Sequence, residues 1–140
     1  MKKIVFVCLG NICRSPMAEF VMKSLTDQLK IESRATSSWE HGNPIHRGTQ
    51  AIFKKYDIAY DRNKTSQQIS AADFADFDYV IGMDESNVRD LKRMAPEDFQ
   101  HKIYQFEEES VPDPWYTGDF DQTYDLVLAG CKKWLERLDG

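Results

Sequence analysis

Lys3-Ile4-Val5-Phe6-Val7 is a short apolar, β-branched run of the kind that suits a strand covered on both faces. It stops at Gly10-Asn11. Ser15 then stands where an N-cap belongs, Pro16 at the first helical position, and Met17, Phe20, Val21, Leu25 and Leu29 recur at helical spacing. A fully buried strand that feeds a helix this quickly belongs to a sheet with helices packed on it, and the same alternation continues along the chain.

Residues 33–38 read as a second, more polar strand near a sheet edge, residues 49–56 as a helix, and residues 61–68 as a polar loop. Ser70-Ala71-Ala72-Asp73 opens a short capped helix, residues 78–83 form a third strand, and Asp84-Glu85-Ser86-Asn87 starts a helix that ends near Pro96. Residues 103–106 are a fourth strand. The last helix, residues 120–138, carries Phe120, Tyr124, Val127, Leu128, Cys131, Trp134, Leu135 and Leu138 on one core-facing stripe. The expected fold is α/β: one three-layer domain over residues 1–140, with a four-stranded, mainly parallel sheet between helices on both faces.

The first strand-to-helix turn carries the chemistry. Leu9, Gly10, Asn11, Ile12, Cys13 and Arg14 would turn their main-chain N–H groups onto one point at a helix N-terminus, a nest for an anion with Cys8 at its floor, and Ser15 completes this phosphate-binding stretch. The helix N-terminus and the Arg14 guanidinium both stabilise negative charge on such a sulfur, which makes Cys8 the candidate nucleophile. Arg14 offers a planar fork for two phosphoryl oxygens, which a lysine does not. Gly10 permits a tight turn, and Asn11 is a residue type that tolerates left-handed geometry.

A late loop supplies an acid. In Val111-Pro112-Asp113-Pro114-Trp115-Tyr116, two prolines restrict the position of the Asp113 carboxyl, which suits it to protonate a leaving oxygen and later to take a proton from water. Trp115 and Tyr116, together with Trp39 from the loop after the second strand, would wall a pocket for an aryl phosphate; Trp39 is equally readable as a cap on the core. Amides and guanidinium supply the charge stabilisation, so neither a metal nor a cofactor is expected. His41, His46 and His101 have no metal-ligand spacing and read as surface residues.

Composition narrows the partners. A net charge of −5 without a basic run argues against nucleic acid, and no apolar stretch approaches the roughly 20 residues that span a bilayer. Three cysteines behind an amino terminus without a signal peptide pattern point to a reducing compartment, the cytoplasm, with thiols used as chemistry. A monomer is expected, or at most a weak dimer.

Cys8-Leu9-Gly10-Asn11-Ile12-Cys13-Arg14-Ser15, Asp84-Glu85-Ser86-Asn87 and Asp113-Pro114, in this order over the full chain, closely resemble the low-molecular-weight protein tyrosine phosphatases. The resemblance implies hydrolysis of phosphotyrosine in proteins through a cysteinyl-phosphate. Cys8 would be the nucleophile, Arg14 the phosphate clamp, Asp113 the general acid and Ser15 a hydroxyl that stabilises the leaving thiolate. It also implies that Asn11, supported by Ser33, keeps the loop in shape, and that Cys13 can trap an oxidised Cys8 as a disulfide; a small packing residue is the alternative for Cys13.

Two departures stand out. Where many members carry a loop-supporting histidine, this chain has Arg62, Asn63 and Lys64, and Trp115 stands where a tyrosine is more usual. Among rivals, a protein arginine phosphatase on the same scaffold usually has threonine at the position of Ile12. A thiol-dependent arsenate reductase needs two further clustered cysteines where this chain has only Cys131. A non-catalytic phosphate-binding module would not need nucleophile, clamp and acid together.

Overall fold

The computed structural model describes residues 1–139. Among these, four strands, β1 (Lys2–Cys8), β2 (Leu29–Ala35), β3 (Tyr79–Gly82) and β4 (Ile103–Gln105), form one sheet in the order β2-β1-β3-β4, every pair parallel. The helices are α1 (Arg14–Leu25), α2 (Arg47–Lys55), α3 (Ala71–Asp76), α4 (Glu85–Met94), α5 (Pro114–Thr117) and α6 (Phe120–Asp139), with a 3₁₀ turn over Glu97–Lys102.

Period-two alternation sends β1 to two cores at once. Ile4, Phe6 and Cys8 pack with Met17, Phe20 and Val21 of α1, Phe53 of α2 and Val127, Cys131 and Trp134 of α6. Val5 and Val7 face the other way, onto Phe74 of α3 and Leu91 of α4. The sheet is therefore the middle of three layers, as expected of an apolar strand with no wet face. The last helix buries the expected stripe, and Trp134 Nε1 donates to Phe106 O at 2.7 Å. No helix among the described residues is long and apolar enough to cross a membrane.

The chain reverses its strand order beside β1: β2 lies on one side of it and β3 on the other. In an open parallel sheet the crevice at the carboxyl ends of the strands on either side of such a reversal is where loops leave room for a ligand. Register brings Cys8 beside Ala35, and Val7 beside Gly82, which in turn pairs with Gln105, so the loops that follow all four strands emerge on one edge.

Several boundaries differ from the sequence reading. Helix α1 begins at Arg14 with Cys13 at the N-cap position and no side-chain cap, so Ser15 is not the cap and Pro16 is the third helical residue. Pro16 still costs no helical bond there, because the first-turn amides have no partner inside the helix. The helix ends at Leu25; Leu29 opens β2, which starts four residues before the predicted Ser33 and is indeed an edge strand. The predicted loop after β4 contains the one-turn helix α5.

Gly130 on α6 lies under the Phe106 ring, and a Cβ there would fall inside that ring's contact distance. Phe106 is 2% exposed and meets Phe6 edge-on at 5.8 Å, so it has nowhere to retreat. Gly130→Ala should therefore destabilise the fold by about 2 kcal/mol, overpacking outweighing the roughly 1 kcal/mol that alanine gains in a helix. Urea unfolding would measure it, and an unchanged midpoint would contradict this packing.

Candidate active site

The turn between β1 and α1 is held from outside. The carbonyl of Cys8 accepts from Thr36 N, that of Leu9 from Ser37 N and Oγ, that of Gly10 from Ser66 Oγ, that of Ile12 from His46 N and that of Cys13 from Thr49 Oγ1. All peptide bonds described are trans, so each outward carbonyl turns the following N–H toward the inside of the turn. Five inward N–H groups result, those of Leu9, Gly10, Asn11, Cys13 and Arg14. One declares itself directly: Asn11 N donates to Cys8 Sγ at 3.2 Å. The absence of a side-chain cap on α1 fits the same design, since a capping oxygen would occupy amides that an oxyanion can use.

Asn11 takes the left-handed conformation, with φ of 56°, and Gly10 is not among the positive-φ residues, so the tight turn predicted for Gly10 falls one residue later. The Asn11 side chain locks that geometry. Its Nδ2 donates to Ser15 Oγ (2.8 Å) and Ser33 Oγ (3.0 Å), and its Oδ1 accepts from Gln67 N. Ser15 Oγ in turn lies 3.1 Å from Cys8 Sγ. Freed from capping, Ser15 touches the sulfur.

Behind this network Ser33 Oγ donates to Glu19 Oε1 at 2.6 Å, and Lys64 Nζ donates to Ser33 O at 2.9 Å while standing 3.8 Å from the same Glu19 oxygen. Burial pulls the Lys64 ammonium below its ordinary value, and Glu19 opposes that pull. Loop support in this chain thus comes from Lys64 and Glu19. In the sequence Lys64 stands out only as a departure and Glu19 not at all, because a lone acid on a helix carries no sign that it will be buried.

Arg14 is 2% exposed. Its Nη1 donates to Asp84 Oδ2 (2.6 Å) and Val111 O (2.9 Å), and its Nη2 reaches Asp113 Oδ2 at 3.4 Å. Nε is buried without a hydrogen-bond partner among the described residues. Burial alone would lower the Arg14 pKa, yet the Cys8 sulfur, the hydrogen bond to Asp84 and the Asp113 charge outweigh it and hold it above its ordinary value, so the guanidinium stays a cation. Asp84 serves twice, its Oδ1 accepting from Asn87 N to cap α4. Its place at the end of β3 in a helix-start pattern was the available signal for that second role.

Asp113 caps α5, with Oδ1 accepting from Trp115 N at 3.1 Å. Cys8, Leu9, Gly10, Ile12, Cys13, Trp39, Asp113, Trp115 and Tyr116 line one hollow together with Glu40, whereas Asn11, Arg14 and Ser15 lie buried at its base. Trp39 is 78% exposed, so it stands at the mouth and is no cap on the core. Cys13 and Cys131 are free thiols whose pKa burial pushes up, with the Cys8 charge adding to the effect at Cys13.

A family model described as Low molecular weight phosphotyrosine protein phosphatase matches residues 3–140. The low molecular weight protein-tyrosine-phosphatase PtpA of Staphylococcus aureus is 45% identical over 141 residues, covering 94% of this chain and 90% of that protein. The crystal structure of SP-PTP, a low molecular weight protein tyrosine phosphatase from Streptococcus pyogenes, superposes with a TM-score of 0.97 at 63% identity, over 99% of this chain and 93% of that one. That of DARP, a drosophila arginine phosphatase, superposes at 0.89 with 32% identity, over 100% and 99%.

Proposed function

The chain belongs to the low molecular weight phosphotyrosine protein phosphatase family and is a cysteine-based protein-tyrosine phosphatase, and from that premise we propose that Cys8, Arg14 and Asp113 divide the chemistry among them. Cys8 attacks phosphorus as the thiolate while the bond to the leaving aryl oxygen breaks and Asp113 gives that oxygen its proton. The sulfur then carries the phosphoryl group. In the second step the Asp113 carboxylate takes a proton from water as its oxygen attacks phosphorus, the S–P bond breaks, and Ser15 Oγ stabilises the departing thiolate.

One observation carries this reading: the buried Arg14 guanidinium, gripped by Asp84 and the Val111 carbonyl, reaches Asp113 with Nη2 and keeps an Nε that has no hydrogen-bond partner among the described residues and that a phosphoryl oxygen would satisfy. The inward amides bind the remaining oxygens.

Phosphotyrosine in proteins is the proposed substrate. Trp39, Trp115 and Tyr116 offer an aryl ester flat apolar walls, and the Ile12 side chain offers a guanidino phosphate no hydrogen-bond acceptor. The free thiols of Cys8, Cys13 and Cys131 suit a reducing compartment such as the cytoplasm.

Asp113→Asn tests the acid. It should lower kcat/KM on phenyl phosphate, a poor leaving group, by about 10²-fold and on p-nitrophenyl phosphate by less than about tenfold. Equal losses on both esters would remove Asp113 from proton transfer.

A further inference from the structure

By spacing alone His46 reads as a surface residue, like His41 and His101. Those two are exposed, but His46 is half-buried and held from three sides. Its ring stacks on Phe120, with centroids 5.1 Å apart and planes 18° from parallel, and meets Trp115 edge-on at 5.6 Å and 81°. Its Nδ1 accepts from Gly48 N at 2.9 Å, capping α2, which assigns the proton of the neutral ring to Nε2. The fit is close. A Cβ on Gly48 would collide with the Phe120 ring, so the ring behind the imidazole has no room to shift toward α2.

These contacts join both halves of the site. The main-chain N–H of His46 donates to Ile12 O at 2.8 Å and so helps to turn the amide of Cys13 inward. On the other side lies α5. The main-chain bonds of Trp115, Tyr116, Thr117 and Gly118 run back to Asp113 and Pro114 in their own loop, so they do not tie α5 to another element. Trp115 is 56% exposed, and its ring gains its hold on the body of the protein by meeting His46. The N–H of the same Trp115 is bonded to Asp113 Oδ1, which leaves Oδ2 toward Arg14.

We infer that His46 is a positioning residue for the general acid: its imidazole, clamped between Phe120 and Trp115, fixes Trp115, and the Trp115 N–H fixes which way the Asp113 carboxyl points. His46 touches no reacting atom. The inference rests on Asp113 being the acid, and it adds the device that orients it. An acid allowed to rotate away from the leaving oxygen loses most where protonation matters most, on esters of weakly acidic phenols.

The test separates the ring from the cap. His46→Asn keeps a side-chain acceptor for Gly48 N and discards the ring, whereas His46→Phe keeps the stacked ring and discards the acceptor. Each is assayed beside wild type and Asp113→Asn for kcat/KM on phenyl and p-nitrophenyl phosphate, with thermal midpoints recorded. His46→Asn should lower the value for phenyl phosphate by about 30-fold and that for p-nitrophenyl phosphate by no more than about threefold, while His46→Phe stays within about threefold of the wild-type ratio. Phe120→Leu, which takes away the face His46 rests on, should widen the ratio in the same direction and decides the matter if His46→Asn does not fold.

Uniform losses on both esters in His46→Asn, beside a widened ratio in Asp113→Asn, would overturn the role of His46 and leave the acid in place. An unchanged ratio in Asp113→Asn would overturn the acid itself, and the inference with it.

Discussion

Cys8→Ser is expected to lower turnover of any aryl phosphate by about 10⁵-fold or more, because a serine hydroxyl is not ionised at neutral pH and, among the described residues, Cys13 is the one other thiol lining the hollow. Cys13 lines the same hollow, but burial holds its thiol protonated, so it cannot stand in. Binding should survive. The carbonyls that pin the turn, the left-handed Asn11 and the buried Arg14 do not depend on the sulfur, apart from one bond from Asn11 N that a serine oxygen can accept. Inorganic phosphate should therefore compete for Cys8→Ser with a Kd within about tenfold of its wild-type inhibition constant, since one hydrogen bond of ordinary strength accounts for roughly that much. Isothermal titration gives that affinity, and rapid acid quench gives the covalent state. Wild type should yield a phosphorylated Cys8 peptide and Cys8→Ser none. Turnover persisting in the variant within a factor of ten would remove the cysteinyl-phosphate from the reaction.

Cys8, Arg14 and Asp113, the residues proposed as nucleophile, clamp and acid, stand out in the sequence because each is written locally. Cys8 and Arg14 bracket a strand-to-helix turn, and Asp113 sits between two prolines. Their meeting was legible from topology alone, since parallel strands place every following loop on one edge. What stayed hidden lies one layer back. Ser15 reads as an N-cap by every local rule, and only the family resemblance points its hydroxyl at Cys8; the helix starts a residue before it and leaves that hydroxyl 3.1 Å from the sulfur. Local propensity ranks caps; it does not register that an uncapped first turn is useful to an anion. Glu19, Lys64 and His46 were hidden for a different reason. Each acts across 14 or more residues of sequence: Glu19 on Ser33, Lys64 on Ser33 and His46 on Ile12 and Trp115. Such pairings are set by packing of elements, which periodicity does not encode. The shortfall in strand β2 is of the first kind: Leu29 fits the helical spacing of α1, and only its pairing beside Lys2 claims it for the sheet.

Arg14→Lys should cost about 10³-fold in kcat/KM while leaving the fold almost intact, and the contrast is what makes it informative. Removing the charge altogether would be a poor test. Asp84 and Asp113 both point at Arg14, and without a cation between them two carboxylates would face each other in a half-buried site. Lysine keeps the charge but exchanges a planar fork for a point. The present guanidinium spends Nη1 on Asp84 and Val111, which fixes its plane, and on the proposed reading leaves Nε and part of Nη2 for oxyanion contact. A lysine ammonium drawn to Asp84 has no second nitrogen held at a fixed angle, so it cannot grip two equatorial oxygens as their charge redistributes. The loss should be the same for phenyl and p-nitrophenyl phosphate, because the clamp acts on non-bridging oxygens and not on the leaving group. That independence separates it from Asp113→Asn, whose deficit grows as the leaving phenol becomes less acidic. A deficit in Arg14→Lys below about tenfold, or one that rises with leaving-group pKa, would show that charge alone suffices and that the fork geometry is not what stabilises the transition state.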